Sequence, residues 1–331
     1  MNKIILILGF YFLVSVNIVS ARQLDQDAVN TFIDSVTSRY QFDHEYLRSL
    51  FSRTNYSQRV IDAISKPAEA LPWYKYRDIF LQQDRITGGV EFWENQKSAL
   101  DAAEKEFGIP PSIIVAIIGV ETRYGKLTGN DRVMDALSTL SFHYSKRSKF
   151  FLGELEQFLL LTREHKLDPL SITGSYAGAM GIPQFIPSSY RRYAMDFDKD
   201  GFSDIWHNPV DAIGSVGNYL KEHGWQPGDG IVIPAEIKSN AYSTIPDNGL
   251  KPDLTAVQVK AYGLEPVENI PDNTKLKVLI YENIDRDEVW LGMENFYVIT
   301  RYNHSQLYAM AVFQLAERIR EKYLAKELVN R

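Results

Sequence analysis

At 331 residues, 45% of them apolar, the chain is long enough for two or three folded units around a sizeable core. A formal charge of -6 leaves no basic excess to draw in nucleic acid or polyphosphate. Cysteine is absent, which excludes disulfides and a lipidated cysteine, so packing alone must hold the fold.

The chain opens on a leader pattern. Lys3 precedes the apolar run IILILGFYFLVSVNIV, and Val19, Ser20 and Ala21 fit the positions before a cleavage point. Residues 1–21 read as an export signal cut after Ala21, with a single membrane anchor as the alternative. Residues 22–107 then carry helical patterns, first in DAVNTFIDSVTSRY, DHEYLRSLFSR and YSQRVIDAI. Leu47, Leu50 and Phe51 recur at helical spacing, as do Val60, Ile61 and Ile64. The aromatic-dense segment Pro72–Asp78 reads as a packing strap, with a sugar-stacking edge as the alternative. GGVEFWENQKSALDAAEKEFG reads as one helix that stops at Gly108, and Pro110-Pro111 opens the next.

That next stretch, Ile113–Gly125, is IIVAIIGVETRYG: an apolar helix that runs into one acid, Glu121, and breaks at Gly125. Ile114, Ile117, Val120 and Glu121 share helical spacing, so the carboxylate lies on or beside the buried stripe. An ordinary surface glutamate is the plainer reading of the same pattern. KRSKFFLGELEQFLLLTREH is a second strong helix, with Phe151, Leu155, Phe158 and Leu159 on one face and Glu154 and Glu156 as further acids. GSYAGAMGIPQFIPSSYRRYAMDF is too rich in glycine and proline for a long regular helix. It reads as closely approaching backbone, the material of a cleft wall.

DFDKDGFSDIW places Asp196, Asp198, Asp200, the Phe202 carbonyl and Asp204 at alternate positions of a calcium loop, with Gly201 at the sixth. The twelfth position is His207 instead of a bidentate glutamate, and Asp211 on the following helix is the nearby acid to replace it. A solvated acidic turn is the alternative. DAIGSVGNYLKEHGW reads as a helix closed by Gly224. From Val232 to Glu282 the period falls toward two, and IVIPAEI, AVQVKAYG and KLKVLIY read as short strands. YVITRYNHSQLYAMAVFQLAERIREKY returns to helix, with Tyr308, Val312, Leu315 and Ile319 as its stripe.

The six histidines show no zinc spacing, HExxH and GxSxG are absent, and no glycine-rich strand-to-helix turn is present to hold a dinucleotide. What remains is acid–base chemistry by a partly buried carboxylic acid, which glycosidic bond cleavage requires because the leaving oxygen must receive a proton.

At this point longer blocks become informative: IIGVETRYGK, DALSTLSFHY, FLGELEQFLLL, GSYAGAMGIPQFIPSSYRRYAMDFDKDG, NPVDAIGSVGNYLKEHGW and FYVITRYNHSQLYAMAV. Over roughly residues 100–230 and 290–320 the chain resembles the lytic murein transglycosylase B family, in a soluble form without a lipid anchor. The resemblance implies a mainly α fold with a small β-rich subdomain, in which a lysozyme-like catalytic core is joined to an added helical domain. The corresponding division is a signal peptide at 1–21, a helical domain at 22–107 and a core at 108–230 containing the loop 196–211. A β-rich unit at 231–290 and a helix at 291–331 that rejoins the core complete it. The implied activity is periplasmic cleavage of the β-1,4 bond from N-acetylmuramic acid to N-acetylglucosamine in peptidoglycan, giving 1,6-anhydromuramyl products without water. The implied partners are glycan strands and other cell-wall enzymes, and the protein itself is expected to be a monomer that does not bind nucleic acid. Catalysis needs no cofactor, and the metal is a structural calcium ion.

By the same resemblance Glu121 is general acid and then base, and Ser175 bonds the sugar acetamido group or the catalytic carboxylate. Gln184 lines the cleft, and Tyr219, Tyr302, Asn303 and Tyr308 position the muramyl sugar. Lys146 and Arg147 suit the carboxylates of the peptide stem. Simpler roles stand beside these: Ser175 as a turn residue, Tyr219 and Tyr308 as core, and Asn303 as N-cap of the last helix. Two rival functions remain open to the sequence. One is a hydrolytic muramidase using Asp135 or Glu154 as a second carboxylate, and the other is a peptidoglycan-binding protein without activity.

Overall fold

The computed structural model describes residues 23–66 and 71–329, so the leader expected at 1–21 lies outside the described residues. Three helices come first: α1 (Gln26–Tyr40), α2 (His44–Ser52) and α3 (Gln58–Ile64). Asp25, Asp43 and Ser57 cap them by accepting the backbone N–H of Ala28, Tyr46 and Val60. Phe32 of α1 and Phe51 of α2 meet Phe142 edge to face at 6.0 and 6.2 Å, which docks this unit on α8 (Val133–His143).

The aromatic segment after them is helical: α4 (Trp73–Phe80). One helical face brings Trp73, Tyr76 and Phe80 into a row with centroids 6.4 and 5.1 Å apart. Trp73 is buried against Tyr281 at 5.0 Å, so the segment packs elements together, but as a helix. The long pattern that follows divides at Gln96, whose backbone leaves the helical basin, into α5 (Gln83–Asn95) and α6 (Lys97–Phe107).

At the centre is α7 (Pro111–Thr122), which begins with a proline at its first turn, where no N–H is missed. Every residue from Pro111 through Gly119 is buried, so this helix is apolar all round and forms the axis of the core. Packed against it are α5, α6, α11 (Pro209–Glu222) and α14 (Gln306–Val329). A further group is formed by α8, α9 (Ser148–Glu164) and α10 (Pro187–Tyr193), with α9 packed on both α8 and α10, and α10 on α11. The last helical pattern is interrupted: α13 (Glu294–Tyr302) ends before α14 begins. Ser305 caps α14, its Oγ accepting from Tyr308 N at 3.3 Å and its carbonyl from Ala309 N at 3.2 Å. Asn303 therefore does not serve as that N-cap.

Two antiparallel sheets complete the fold. β1 (Asp131–Arg132) pairs with β2 (Thr173–Gly174) at the edge of the helical core. The other sheet contains β3 (Val232–Ile237), β4 (Leu254–Thr255), β5 (Leu264–Pro266), β6 (Lys275–Tyr281) and β7 (Glu288–Gly292) in the order β4-β6-β7-β3-β5. AVQVKAYG, expected as a strand, is instead α12 (Ala256–Ala261). Thr255 and Gln258 form a reciprocal capping box at its start, and Ala256 and Val259, three apart, bury one face in the sheet's own small core. The alternation of valines there mimicked a strand. The whole is mainly α with a small β-rich subdomain.

Candidate active site

Glu121 stands at the second-to-last position of α7, partly buried. The Tyr308 hydroxyl on α14 donates to its Oε1 at 2.6 Å. The Tyr302 ring lies parallel to Tyr308, at 6.4 Å and 8°, and its hydroxyl donates to the Pro183 carbonyl at 2.6 Å. Tyr219 of α11 follows at 4.8 Å from Tyr302 and donates to the Arg301 carbonyl at 2.6 Å. Three tyrosines from three helices thus form a row that ends on the carboxyl group. Burial pushes the Glu121 carboxyl up to about 7, against the opposing pull of the Tyr308 hydrogen bond. Burial also pushes the phenols of Tyr302 and Tyr308 upward, so both stay protonated and Tyr308 remains a donor.

The cleft wall is tied to the end of this helix. Thr122 Oγ1 donates to the Ile182 carbonyl at 2.9 Å and accepts from Gly125 N at 3.0 Å. Ser175 shapes the turn of the wall: its Oγ accepts from Ala177 N at 3.3 Å and Ala179 N at 3.1 Å. Both of those bonds use oxygen lone pairs and leave the hydroxyl proton to donate. At Gly178, with φ +81°, a Cβ would meet Leu137 Cδ2 at 2.4 Å, so the wall approaches α8 only because this residue is glycine. Gln184, at φ +52°, donates from Nε2 to Thr128 O at 3.0 Å and Gly181 O at 2.9 Å, which joins the wall to the loop after α7.

Gln184 lines two adjoining hollows. One, of about 600 Å³, includes Arg59, Asn130, Ser175 and Tyr176. The other, of about 250 Å³, includes Arg147, Tyr219, Tyr302 and His304. Arg147 holds its guanidinium 4.3 Å over the Phe150 ring, whereas Lys146 is exposed and lines neither hollow, and Asn303 lines neither. Arg59, Asn130, Tyr176 and His304 were not singled out by sequence; Tyr176 and His304 lie in the quoted blocks beside residues that were, and only the fold turns them to the hollows.

The other acids of the core are engaged elsewhere. Glu154 accepts from Ser188 N at 2.9 Å and Ser188 Oγ at 2.7 Å, capping the first turn of α10. Asp135 is paired with Arg132 at 2.7 Å and accepts from Asn55 N at 2.8 Å, clasping the N-terminal unit to the core. Glu156 accepts from Arg39 and Tyr40 of α1.

In the acidic loop, ligand oxygens of Asp196, Asp198 and Asp211 lie within 4.8 Å of one another. Asp211, buried on α11, accepts from Phe197 N at 2.7 Å and Asp204 N at 2.8 Å and so fixes both ends of the loop. The loop aspartates also hold the loop's own backbone: Asp196 accepts from Asp200 N at 2.9 Å and Gly201 N at 2.8 Å, and Asp198 accepts from Asp200 N at 3.2 Å. Asp200 Oδ1 accepts from Phe202 N at 3.0 Å, and the Phe202 carbonyl accepts from Asp204 N at 3.0 Å. Asp204 Oδ1 accepts from Trp206 N and His207 N, both at 2.9 Å. Three oxygen donors brought together in this way suit a hard cation of the calcium class.

Comparison with known proteins places the geometry in a family. The Transglycosylase SLT domain model matches residues 25–317. Membrane-bound lytic murein transglycosylase B of Escherichia coli is 42% identical over 298 residues, covering 87% of this chain and 81% of that protein. The crystal structure of the soluble lytic transglycosylase SltB1 from Pseudomonas aeruginosa is 49% identical, with 89% of this chain and 98% of that one covered at a TM-score of 0.84. The Escherichia coli lytic transglycosylase Slt35, solved in complex with calcium, is 40% identical, with 93% and 98% covered at a TM-score of 0.84. The chain belongs to the SLT family of lytic murein transglycosylases.

Proposed function

We propose that Glu121 carries out both proton transfers of a lytic transglycosylase reaction. The enzyme cleaves the β-1,4 bond between N-acetylmuramic acid and N-acetylglucosamine in peptidoglycan and leaves a 1,6-anhydromuramyl end. Protonated Glu121 gives its proton to the glycosidic oxygen as the bond to C1 breaks, and the acetamido oxygen of the muramyl sugar supports the electron-poor C1. The resulting carboxylate then takes the proton of the muramyl C6 hydroxyl, whose oxygen closes on C1. No water enters, and Glu121 ends protonated as it began. A tethered hydroxyl outcompetes water because its effective concentration is large.

The observation that carries this reading is a partly buried carboxyl, beside the tyrosines that reach the hollow, with one oxygen held by Tyr308 and its pKa pushed up to about 7. Such a group holds a proton for the first step and still ionises readily for the second. Tyr302, partly buried, lines the hollow where the sugar would sit, the buried rings of Tyr308 and Tyr219 hold its ring in place, and Ser175 has a proton to offer the acetamido oxygen. Arg147 suits the carboxylates of the peptide stem. Asp196, Asp198 and Asp211 would hold a structural calcium ion, which would cross-link the acidic loop to α11. The division at 22–107, 108–230, 231–290 and 291–331, a monomeric state and association with other cell-wall enzymes belong to the same reading. So does export to the periplasm, where its substrate lies.

Glu121→Gln tests the assignment. Anhydromuropeptide release from purified peptidoglycan should fall by about a hundredfold or more, with binding to insoluble peptidoglycan retained. Release near the wild-type rate would end it.

A further inference from the structure

The end of α7 has an unusual support that the reaction scheme does not use. Immediately after Glu121 and Thr122, Arg123, Tyr124 and Gly125 all adopt left-handed backbone, at φ +48°, +64° and +83°. For arginine and tyrosine this conformation is disfavoured because Cβ crowds the following carbonyl oxygen, so the surroundings must hold it. Tyr124 fills a slot between α5 and α7 that exists because both helices carry glycine there. A Cβ on Gly119 would lie 2.6 Å from the Tyr124 hydroxyl oxygen, and one on Gly89 would lie 2.7 Å from it. Within the slot the Tyr124 hydroxyl donates to the Arg85 carbonyl at 2.7 Å.

Arg85 completes the clamp. It is buried, and its guanidinium donates to the carbonyl of Gly119 and, at 3.5 Å, to that of Val120. A second nitrogen donates to Ile79 O at 3.4 Å at the end of α4. A cation there takes the second lone pair of the Gly119 carbonyl, which also accepts from Arg123 N at 3.2 Å, and opposes the negative end of the helix dipole. The two carbonyls it holds belong to the residues directly before Glu121.

We infer that Arg85 and Tyr124 are positioning residues for Glu121: together they lock the last turn of α7, so that the carboxyl keeps one place against Tyr308 and the cleft. This rests on the assignment of Glu121 as the acid and base. The titratable groups facing Glu121 are Tyr302 from α13 and Tyr308 from α14, while Asp84 and Arg123 flank Arg85 and Tyr124. If the clamp loosens, water reaches the carboxyl and the penalty on its charged form shrinks.

The test is Tyr124→Phe, which keeps the ring and removes only the hydroxyl, with Gly119→Ala as a second variant that crowds the slot. Both are assayed below their melting temperatures on a soluble murein fragment, across pH, beside Glu121→Gln. The expected result is a kcat lower by about tenfold with KM within about twofold. The high-pH limb of kcat should move to lower pH in the same variants. Wild-type kcat in both variants would overturn the inference, and so would a reduced kcat with an unmoved limb, since the loss would then not pass through the surroundings of Glu121. Persistent activity in Glu121→Gln would instead defeat the assignment of the acid itself, whatever the slot variants do.

Discussion

Glu121 and Glu154 are two glutamates on neighbouring parts of one core, and burial pushes both carboxyls above the usual range. Their partners separate them. Glu154 has both oxygens occupied by Ser188, one by its N–H and one by its hydroxyl, and it closes the start of α10. Glu121 has one oxygen held by Tyr308, whose ring stacks on the Tyr302 that lines one of the hollows. A raised pKa alone therefore does not mark the acid. What favours Glu121 as the proposed acid is a raised pKa with an uncommitted oxygen next to a cleft.

The sharpest way to break this comparison is to remove each carboxyl in turn. Glu121→Gln should lose about a hundredfold or more in activity, as above, and should also change stability in a pH-dependent way. Because the folded carboxyl is raised from 4.5 to about 7, the native state binds the proton more tightly than the unfolded chain does. The wild type therefore has its full stability below pH 4.5 and loses on the order of 3 kcal/mol as pH rises through about 7. Glu121→Gln lacks that loss, so thermal melts should show it more stable than the wild type at pH 8 and nearly level with it at pH 4.

Tyr308→Phe sharpens the same side. It removes the one bond that favours the charged form, so the high-pH limb of kcat should rise while kcat falls several-fold. That shift is opposite to the one expected for Tyr124→Phe, and a pH–rate profile distinguishes them. Glu154→Gln addresses the other side: activity within about twofold of the wild type, but a loss of about 1–2 kcal/mol in denaturant melts because the α10 cap weakens. A large activity loss in the folded Glu154→Gln protein would revive the second-carboxylate mechanism. The smallest effect is remote from both: calcium added after chelation should raise the melting temperature by mass action, and Asp211→Asn should abolish the response.

Much of this was legible in the sequence, for reasons that can be traced. IIVAIIGVETRYG showed both the central helix and the carboxylate at its end, because an apolar run with one carboxylate at its end is a local pattern. The glycine-rich wall was legible because Gly178 is needed where backbone meets Leu137. The acidic loop was legible by spacing, and carboxylate oxygens of Asp196, Asp198 and Asp211 lie within 4.8 Å of one another. AVQVKAYG misled because two valines two apart fit a strand, while the capping box that decides for helix lies partly outside that string. Long-range partners were beyond reading. Nothing local links Tyr308 to Glu121 across 187 positions, or Arg85 to the end of α7, and the same holds for Asp135 and the N-terminal unit.

The central claim is that one carboxyl suffices because the substrate supplies its own nucleophile. Digestion of purified peptidoglycan in water enriched in heavy oxygen, followed by mass spectrometry of the released muropeptides, tests it most directly. The account predicts anhydro products that lack one water and carry no heavy oxygen at the muramyl C1. Reducing ends that carry the label as the first product would contradict it, since they would require an activated water and a group at the cleft to activate it.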